Sequence, residues 1–329
     1  MKRRVSHHIE SWASLIPFRI ANYVWDDYPS VVCQIEQDGV IGWGEALGVY
    51  YLNETAQSML KELESVTGEL AGGASRHDLL ELLPPGGARN AADAALWDLE
   101  AQLNNTTAWQ LAGVAANPVE TVFTIGLEAE PEDMAAGAAA ARDTTLLKIK
   151  LDNDRPVERI AAIRAARPEA RLVVDVNQGW NFAELQRYAP KLSTLGVQMI
   201  EQPLPRGSDA ELESYQSPVP LCADESCLHI VELDQAATRY QLINIKLDKT
   251  GGLTHALELA GAVKARGLGI MVGSMCGSSL AMAPHHVAAQ LADYADIDGP
   301  LLMKTDRLGG LVYDHSMVSL PTTRFWGSR

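Results

Sequence analysis

Short apolar runs recur along this chain from about residue 122 to 297, roughly 25 residues apart, and most of them end on a charged side chain. The runs predict strands at 121–127, 145–151, 171–176, 197–201, 219–223, 242–247, 269–273 and 294–297. Between them, apolar residues repeat at helical spacing, as at 155–166, where Ile160 and Ile163 turn inward, and at 252–266. A repeat of this length is one strand plus one helix. The pattern therefore predicts an α/β protein with a βα barrel, in which the C-terminal ends of all strands open onto one face.

The first 115 or so residues follow a different pattern. Val31–Glu36, Asp38-Gly39 and Val40–Glu45 read as a β-hairpin with a tight Asp-Gly turn. Helices are predicted at 53–70, 75–82 and 88–103, the last with Ala91, Ala94, Ala95, Leu99 and Leu103 on one stripe. The tail from Gly309 to Pro321 is strand-like and is expected to return to the first unit. The reading divides the chain into an α+β unit over 1–116, a barrel over 117–308 and a returning segment over 309–329.

Composition removes several function classes. The 329 residues carry a net charge of −15, with a pI near 4.9. So acidic a chain repels phosphate backbones, which argues against nucleic acid. No run reaches the ~18–20 apolar residues of a membrane helix. The basic start Met1-Lys2-Arg3-Arg4 is followed by His7, His8 and Glu10 rather than an apolar stretch, which argues against secretion. Cys33, Cys222, Cys227 and Cys276 form no CxxC pair and read as reduced thiols of a cytoplasmic protein, most simply as packing residues, with a site-lining role open to Cys222 and Cys276 near predicted strand ends. A homo-oligomer is compatible with all of this.

The charged strand ends carry the chemistry. Side chains two apart on a strand share a face, so Lys148 and Lys150 point together. Two lysines on a doubly buried strand are costly unless they face a polar cavity or, for Lys148, meet an acid partner and do nothing more. Asp175, Glu201 and Asp224 end the third, fourth and fifth strands. If they converged without a cation they would repel, and oxygen donors without His or Cys favour Mg²⁺, with Mn²⁺ as a substitute. The plainer alternative is three unrelated acids in surface ion pairs. Glu225, next to Asp224, should face the other way. Asp296 and Asp298 share one face of the last strand and suit a primary ammonium ion, or else are a strand-end turn pair. His285 and His286 fall in a predicted helix and read as structural.

The ordered set Lys148-x-Lys150, Asp175-x-Asn177, Glu201-Gln202-Pro203, Asp224-Glu225-Ser226 and Asn244-Ile-Lys246-Leu-Asp-Lys-Thr-Gly-Gly252 resembles the enolase superfamily, muconate-lactonizing subgroup. Gly42-Trp43-Gly44-Glu45 and Ala88–Asp98 are similar to that family's cap. The resemblance implies a modified (β/α)7β TIM-like barrel under an N-terminal α+β capping domain. Within the subgroup, Asp296-Ile-Asp298-Gly-Pro300 is similar to dipeptide epimerases of the L-Ala-D/L-Glu kind, where such a pair holds the substrate's α-ammonium. The resemblance further implies an isomerase with Mg²⁺ on Asp175, Glu201 and Asp224. Lys150 and Lys246 would stand on opposite faces of the substrate, and Lys148 would tune Lys150 or bind the carboxylate. A neighbouring Mg²⁺ and lysine charge would lower the pKa of the basic lysine. Strand seven ends Met271-Val-Gly-Ser274-Met275 with no His, which disfavours a sugar-acid dehydratase.

In this family two cap loops set specificity, here Asn22–Tyr28 and Gly48–Glu54. Trp25 and Tyr51 from these loops join Asn177, Ser274 and Met275 as candidate substrate contacts. Ala-Glu enzymes carry an arginine in the first loop; this loop has none, and Arg19 lies upstream. The expected substrate is therefore a dipeptide whose second residue is apolar, aromatic or cationic, without strict Ala-Glu preference. The alternatives are o-succinylbenzoate synthase, N-acylamino acid racemase, muconate cycloisomerase, or a non-catalytic binder on the same fold.

Overall fold

The computed structural model describes residues 3–20 and 23–328; Met1, Lys2 and Asn22, named above, lie outside them. The N-terminal unit is a three-stranded antiparallel sheet of Arg4–Ile20, Tyr23–Gln37 and Val40–Ala46. Asp38 and Gly39 both have positive φ (53° and 82°), as the two-residue hairpin turn requires. The sequence pattern places Arg19 on a strand without giving that strand bounds, and it reads Asn22–Tyr28 as a loop. From Tyr23 on, that segment is instead strand, because β-prone Tyr23, Val24 and Trp25 pair back onto the end of Arg4–Ile20.

Gly42 and Gly44 explain the Gly-Trp-Gly motif. A Cβ on Gly42 would lie 2.1 Å from the Ala95 carbonyl oxygen, and one on Gly44 would lie 2.0 Å from that of Ala91. The strand backbone thus rests directly on helix Gly87–Leu103, whose facing residues are alanines. The helix is buried on nearly every side, between sheet and barrel, so its predicted stripe understates it; Leu103, assigned to that stripe, is exposed. On its barrel side Arg89 donates to the Thr250 and Gly251 carbonyls, and Asp93 accepts from Thr254 N and Oγ1.

The second unit is an eight-stranded parallel sheet in sequential order: Phe123–Ile125, Leu146–Lys150, Arg171–Asp175, Val197–Glu201, Leu221–Ala223, Leu242–Lys246, Gly269–Gly273 and Tyr294–Ala295. A bridge from Thr121 to Ala295 joins its two edges. The fourth connection shrinks to a 3₁₀ turn and the fifth to a short helix, so the helical ring is incomplete. Among the described residues no helix is long and apolar enough to cross a membrane.

Side-chain alternation organises the interior. Val122, Leu146, Val173, Met199, Cys222, Leu242 and Met271 form one buried layer inside the barrel. Two residues further along each strand, toward its C-terminal end, stand Thr124, Lys148, Asp175, Glu201, Asp224, Asn244 and Gly273. An apolar plug thus lies directly beneath a polar floor. Cys222 is a packing residue of that plug.

The tail departs from expectation in part. Val312–Asp314 and Met317–Ser319 form a hairpin whose second strand pairs not with the cap but with Val119–Glu120, at the base of the barrel. Only the last residues reach the cap, where Trp326 Nε1 donates to the Ala94 carbonyl and Gly327 N to Asp98 Oδ1.

Candidate active site

A cavity of about 450 Å³ opens over the C-terminal ends of the barrel strands, with the cap hairpin as its other wall. From the barrel it is lined by Thr124, Lys150, Asn177, Lys246, Ser274, Met275, Cys276, Asp296 and Asp298; Trp25 and Tyr50 stand on the cap side. The strand ends that build it hold uncommon backbone: Asn177, Gln178, Gln202 and Cys276 all have positive φ, between 35° and 72°. Tyr51, expected to touch substrate, is not in the lining. Its hydroxyl is buried without a hydrogen bond, and its ring packs edge-on against Tyr50, which takes the cavity position.

Asp296 and Asp298 line the cavity as expected, but not on a strand. Pairing stops at Ala295, and Gly299-Pro300 starts a 3₁₀ turn. The alternation set by Tyr294 nevertheless carries on through both acids. Asp298 Oδ2 accepts from Thr124 N at 2.8 Å. Burial, and then the charge of Asp296, raise Asp298 to about 7.

From the lining down to the strands beneath it runs a network of buried ions. Lys148 Nζ stands 2.7 Å from Asp296 Oδ2, 2.7 Å from Glu201 Oε2 and 3.0 Å from Asp175 Oδ2. Lys150 Nζ reaches Asp175 Oδ2 at 2.6 Å and Asn177 Oδ1 at 3.2 Å. Lys246 Nζ donates to Asp224 Oδ2 at 2.7 Å. Burial works against the charge of Asp175, yet Lys148 and Lys150 hold it well below the carboxylate range. Burial likewise opposes Asp224, but Lys246 and Lys249 bring it to about 2. Glu201 is raised, by burial and then by the charge of Asp175.

Asp175, Glu201 and Asp224, the expected metal ligands, each turn to an ammonium group, and among the described residues no three His, Cys, Asp or Glu side chains close around one point. Buried carboxylates take the nearest positive charge. Lys246 is raised: burial opposes its charge, but Asp224 and then Glu201 outweigh burial, and the lower value expected above belongs to the site with Mg²⁺ bound. The donors still fit a hard cation. They are oxygen only, come from three adjacent strand ends, and two of them already share one positive centre in Lys148. Glu201 Oε2 makes no hydrogen bond, although it is 2.7 Å from that ammonium.

Sequence reasoning assigned no role to three further residues. Lys249 donates to Asp224 Oδ1 and to the carbonyls of Asp224, Cys227 and Asn244. Asn244 Nδ2 donates to Glu201 Oε1 at 2.6 Å. Gln202 Oε1 accepts from Asp224 N and Ser226 N, tying the fourth strand end to the fifth. All three sit inside the motifs quoted above, which was the available signal. His285 and His286 lie outside the cavity lining, bonded to Ala281 O and Leu247 N, and to Trp109 Nε1 and Val318 O.

Comparison with known proteins agrees with this architecture. Residues 2–113 match the mandelate racemase / muconate lactonizing enzyme N-terminal domain, and residues 132–323 match the enolase C-terminal domain-like family. The L-Ala-D/L-Glu epimerase of Escherichia coli (strain K12) is 39% identical over 308 residues, 92% of this chain and 95% of that protein. An enolase family member from Agrobacterium tumefaciens with homology to dipeptide epimerases, solved with sodium and L-Ala-L-Glu, superimposes with a TM-score of 0.96 at 40% identity, over 99% of this chain and 100% of that one. The dipeptide epimerase of Enterococcus faecalis V583, solved with Mg and L-Leu-L-Tyr, gives 0.92 at 26% identity, over 99% of each chain. The chain belongs to the enolase superfamily, in the group of mandelate racemase and muconate lactonizing enzyme, as a member of the dipeptide epimerase type.

Proposed function

We propose that this protein inverts the α-carbon of the C-terminal residue of an L,L-dipeptide by 1,1-proton transfer between Lys150 and Lys246. One observation carries the reading: both ammonium groups line a single cavity, from the second and sixth strands of an eight-stranded ring. Strands four apart in such a ring face each other across it, so a planar intermediate between them has one lysine on each face. One lysine, as the neutral amine, takes the α-proton and becomes an ammonium, and the other, as an ammonium, returns a proton to the opposite side and is left as the amine.

Asp296 and Asp298 hold the free α-ammonium, Asp298 being oriented by Thr124 N. Asp175, Glu201 and Asp224 hold Mg²⁺ or Mn²⁺. When bound, the ion supplies positive charge against the substrate carboxylate, whose oxygens gain charge as the α-proton leaves, and it offsets the acids that raise Lys246. Lys148 lies below the lining and balances charge under Lys150. Acyl amino acids and cyclisation substrates carry no free ammonium, so they make no use of the two carboxylates that line the cavity at Asp296 and Asp298.

The test is proton NMR in D₂O with Mg²⁺ and pooled L,L-dipeptides. Loss of the C-terminal α-proton signal together with appearance of the L,D diastereomer, both abolished by EDTA, is the expected result. Exchange on N-succinyl amino acids but on no dipeptide would reject it.

A further inference from the structure

Resting on that reading, we infer that Tyr313, in the C-terminal hairpin, is a positioning residue for the ammonium site: its hydroxyl occupies the Ile297 carbonyl and so leaves Thr124 N to hold Asp298. The observation is a change of hydrogen-bond partners where the eighth strand meets the first. Val122 N donates to the Ala295 carbonyl at 2.9 Å, as in a parallel ladder. Carried on by two residues, that ladder would send Thr124 N to the Ile297 carbonyl. Thr124 N goes instead to Asp298 Oδ2 at 2.8 Å, and Ile297 N goes to Thr121 Oγ1 at 3.1 Å. The Ile297 carbonyl, released from the ladder, accepts from the Tyr313 hydroxyl at 2.8 Å.

Ile297 stands between the two acids, and its own side chain is fully buried in the core outside the barrel. Its peptide groups therefore set how Asp296 and Asp298 stand relative to each other, and a carbonyl in such surroundings needs a donor. The flanking groups are fixed too. Asp296 N donates to the Val272 carbonyl, Ser274 Oγ to that of Asp296, and Leu301 N to that of Asp298. Of these partners only Tyr313 comes from the tail. Without its hydroxyl, the Ile297 carbonyl becomes the acceptor in register for Thr124 N, and Asp298 loses the N–H that orients it. The hairpin that pairs with Val119–Glu120 at the base of the barrel thus acts on recognition at the mouth, although no described residue after Leu302 lines the cavity.

The test is Tyr313→Phe, which keeps the ring packed against the outer core and removes the hydroxyl. For a dipeptide that the native protein epimerises, kcat/KM, read as α-proton exchange in D₂O with Mg²⁺, should fall about 3–10-fold, chiefly through KM. The N-acetylated form of the same dipeptide, which has no ammonium, should show little change. Placed on Asp298→Asn, Tyr313→Phe should cost nothing further, because the charge it positions is gone. Thr121→Val, which frees Ile297 N, should give the same pattern, and Thr121→Ser should keep the native rate. If Tyr313→Phe does not fold, the two Thr121 variants decide by the same readings. A native kcat/KM, an equal loss on free and acetylated substrate, or a full effect on the Asp298→Asn background overturns the inference while leaving the epimerase intact. Exchange on no dipeptide in the native protein overturns the epimerase reading and this inference with it.

Discussion

Lys246 and Lys249 grip opposite oxygens of one carboxylate: each ammonium stands 2.7 Å from Asp224, Lys246 at Oδ2 and Lys249 at Oδ1. The two differ in exposure to substrate. Lys246 borders the cavity, whereas Lys249 is closed in by three backbone carbonyls. One is placed to move protons, and the other to keep Asp224 charged and still.

Lys249→Met should therefore act first on stability. It leaves a buried carboxylate half compensated and three carbonyls without their donor, a loss of about 3–5 kcal/mol by comparison with other broken buried pairs. Urea unfolding measures it. A loss below about 1 kcal/mol would show that Lys249 is not the anchor of this strand end.

Replacing either cavity lysine should separate proton exchange from inversion. Lys150→Ala and Lys246→Ala should each lower the epimerisation rate about 10²–10⁴-fold. Each should still wash out the α-proton of one diastereomer, a different one for each variant. If a single variant abolishes exchange from both diastereomers, the two-lysine division of labour is wrong.

Asp298→Asn removes half of the acid pair proposed to meet the α-ammonium. A hydrogen bond to a charged group is worth about 1.5–3 kcal/mol, so kcat/KM for dipeptides should fall about 10–100-fold. The same comparison with N-acetylated dipeptides, which have no ammonium, should show little change. An equal loss on both substrates would assign Asp298 to the frame rather than to recognition.

Metal removal should be readable without turnover. EDTA should lower the melting temperature, and Mg²⁺ or Mn²⁺ should restore it in proportion to the logarithm of free ion, because a ligand that binds only the folded chain stabilises it. Asp175→Asn and Glu201→Gln should abolish the metal-dependent part of the shift. A melting temperature indifferent to EDTA in the native protein would argue against a resident cation.

Acid should destabilise the fold through His286. Its Nδ1 accepts from Trp109 Nε1–H at 3.1 Å, and Nε2–H donates to the Val318 carbonyl at 3.2 Å, an arrangement that only the neutral ring can make. Burial lowers its pKa from 6.5 to about 4. Since the folded value lies below the unfolded one, its contribution is complete above pH 6.5 and is lost as pH falls toward 4, up to about 3 kcal/mol. His7, also lowered to about 4, adds to the loss over the same range. His286→Gln should flatten the stability profile between about pH 7 and 4.5 relative to the native protein. An unchanged slope would put the acid sensitivity elsewhere.

Much of the barrel was legible in the chain because its code is local. Alternation with a period of two writes Leu146, Lys148 and Lys150 onto one face whatever the rest of the fold does, and the same holds for Val173 and Asp175, or Leu242 and Lys246. The recurrence of those strands then implies that their charged ends meet. The hairpin turn at Asp38-Gly39 is local in the same sense.

The remainder depended on contacts between segments far apart in sequence. Tyr50 rather than Tyr51 faces the cavity because a 3₁₀ turn at Tyr50–Leu52 follows neither period, and the neighbouring rings decide which one points in. The strand before Tyr23, the pairing of the tail with Val119–Glu120 and the bonds of Gln202, Asn244 and Lys249 all join residues whose partners no spacing rule names. Charge balance is likewise a property of the assembled site. The order of residues alone dictates which ionisable groups reach the barrel mouth. Which lysine Asp175, Glu201 or Asp224 holds is set in the folded interior, where a buried carboxylate keeps its charge only against a cation or hydrogen-bond donors.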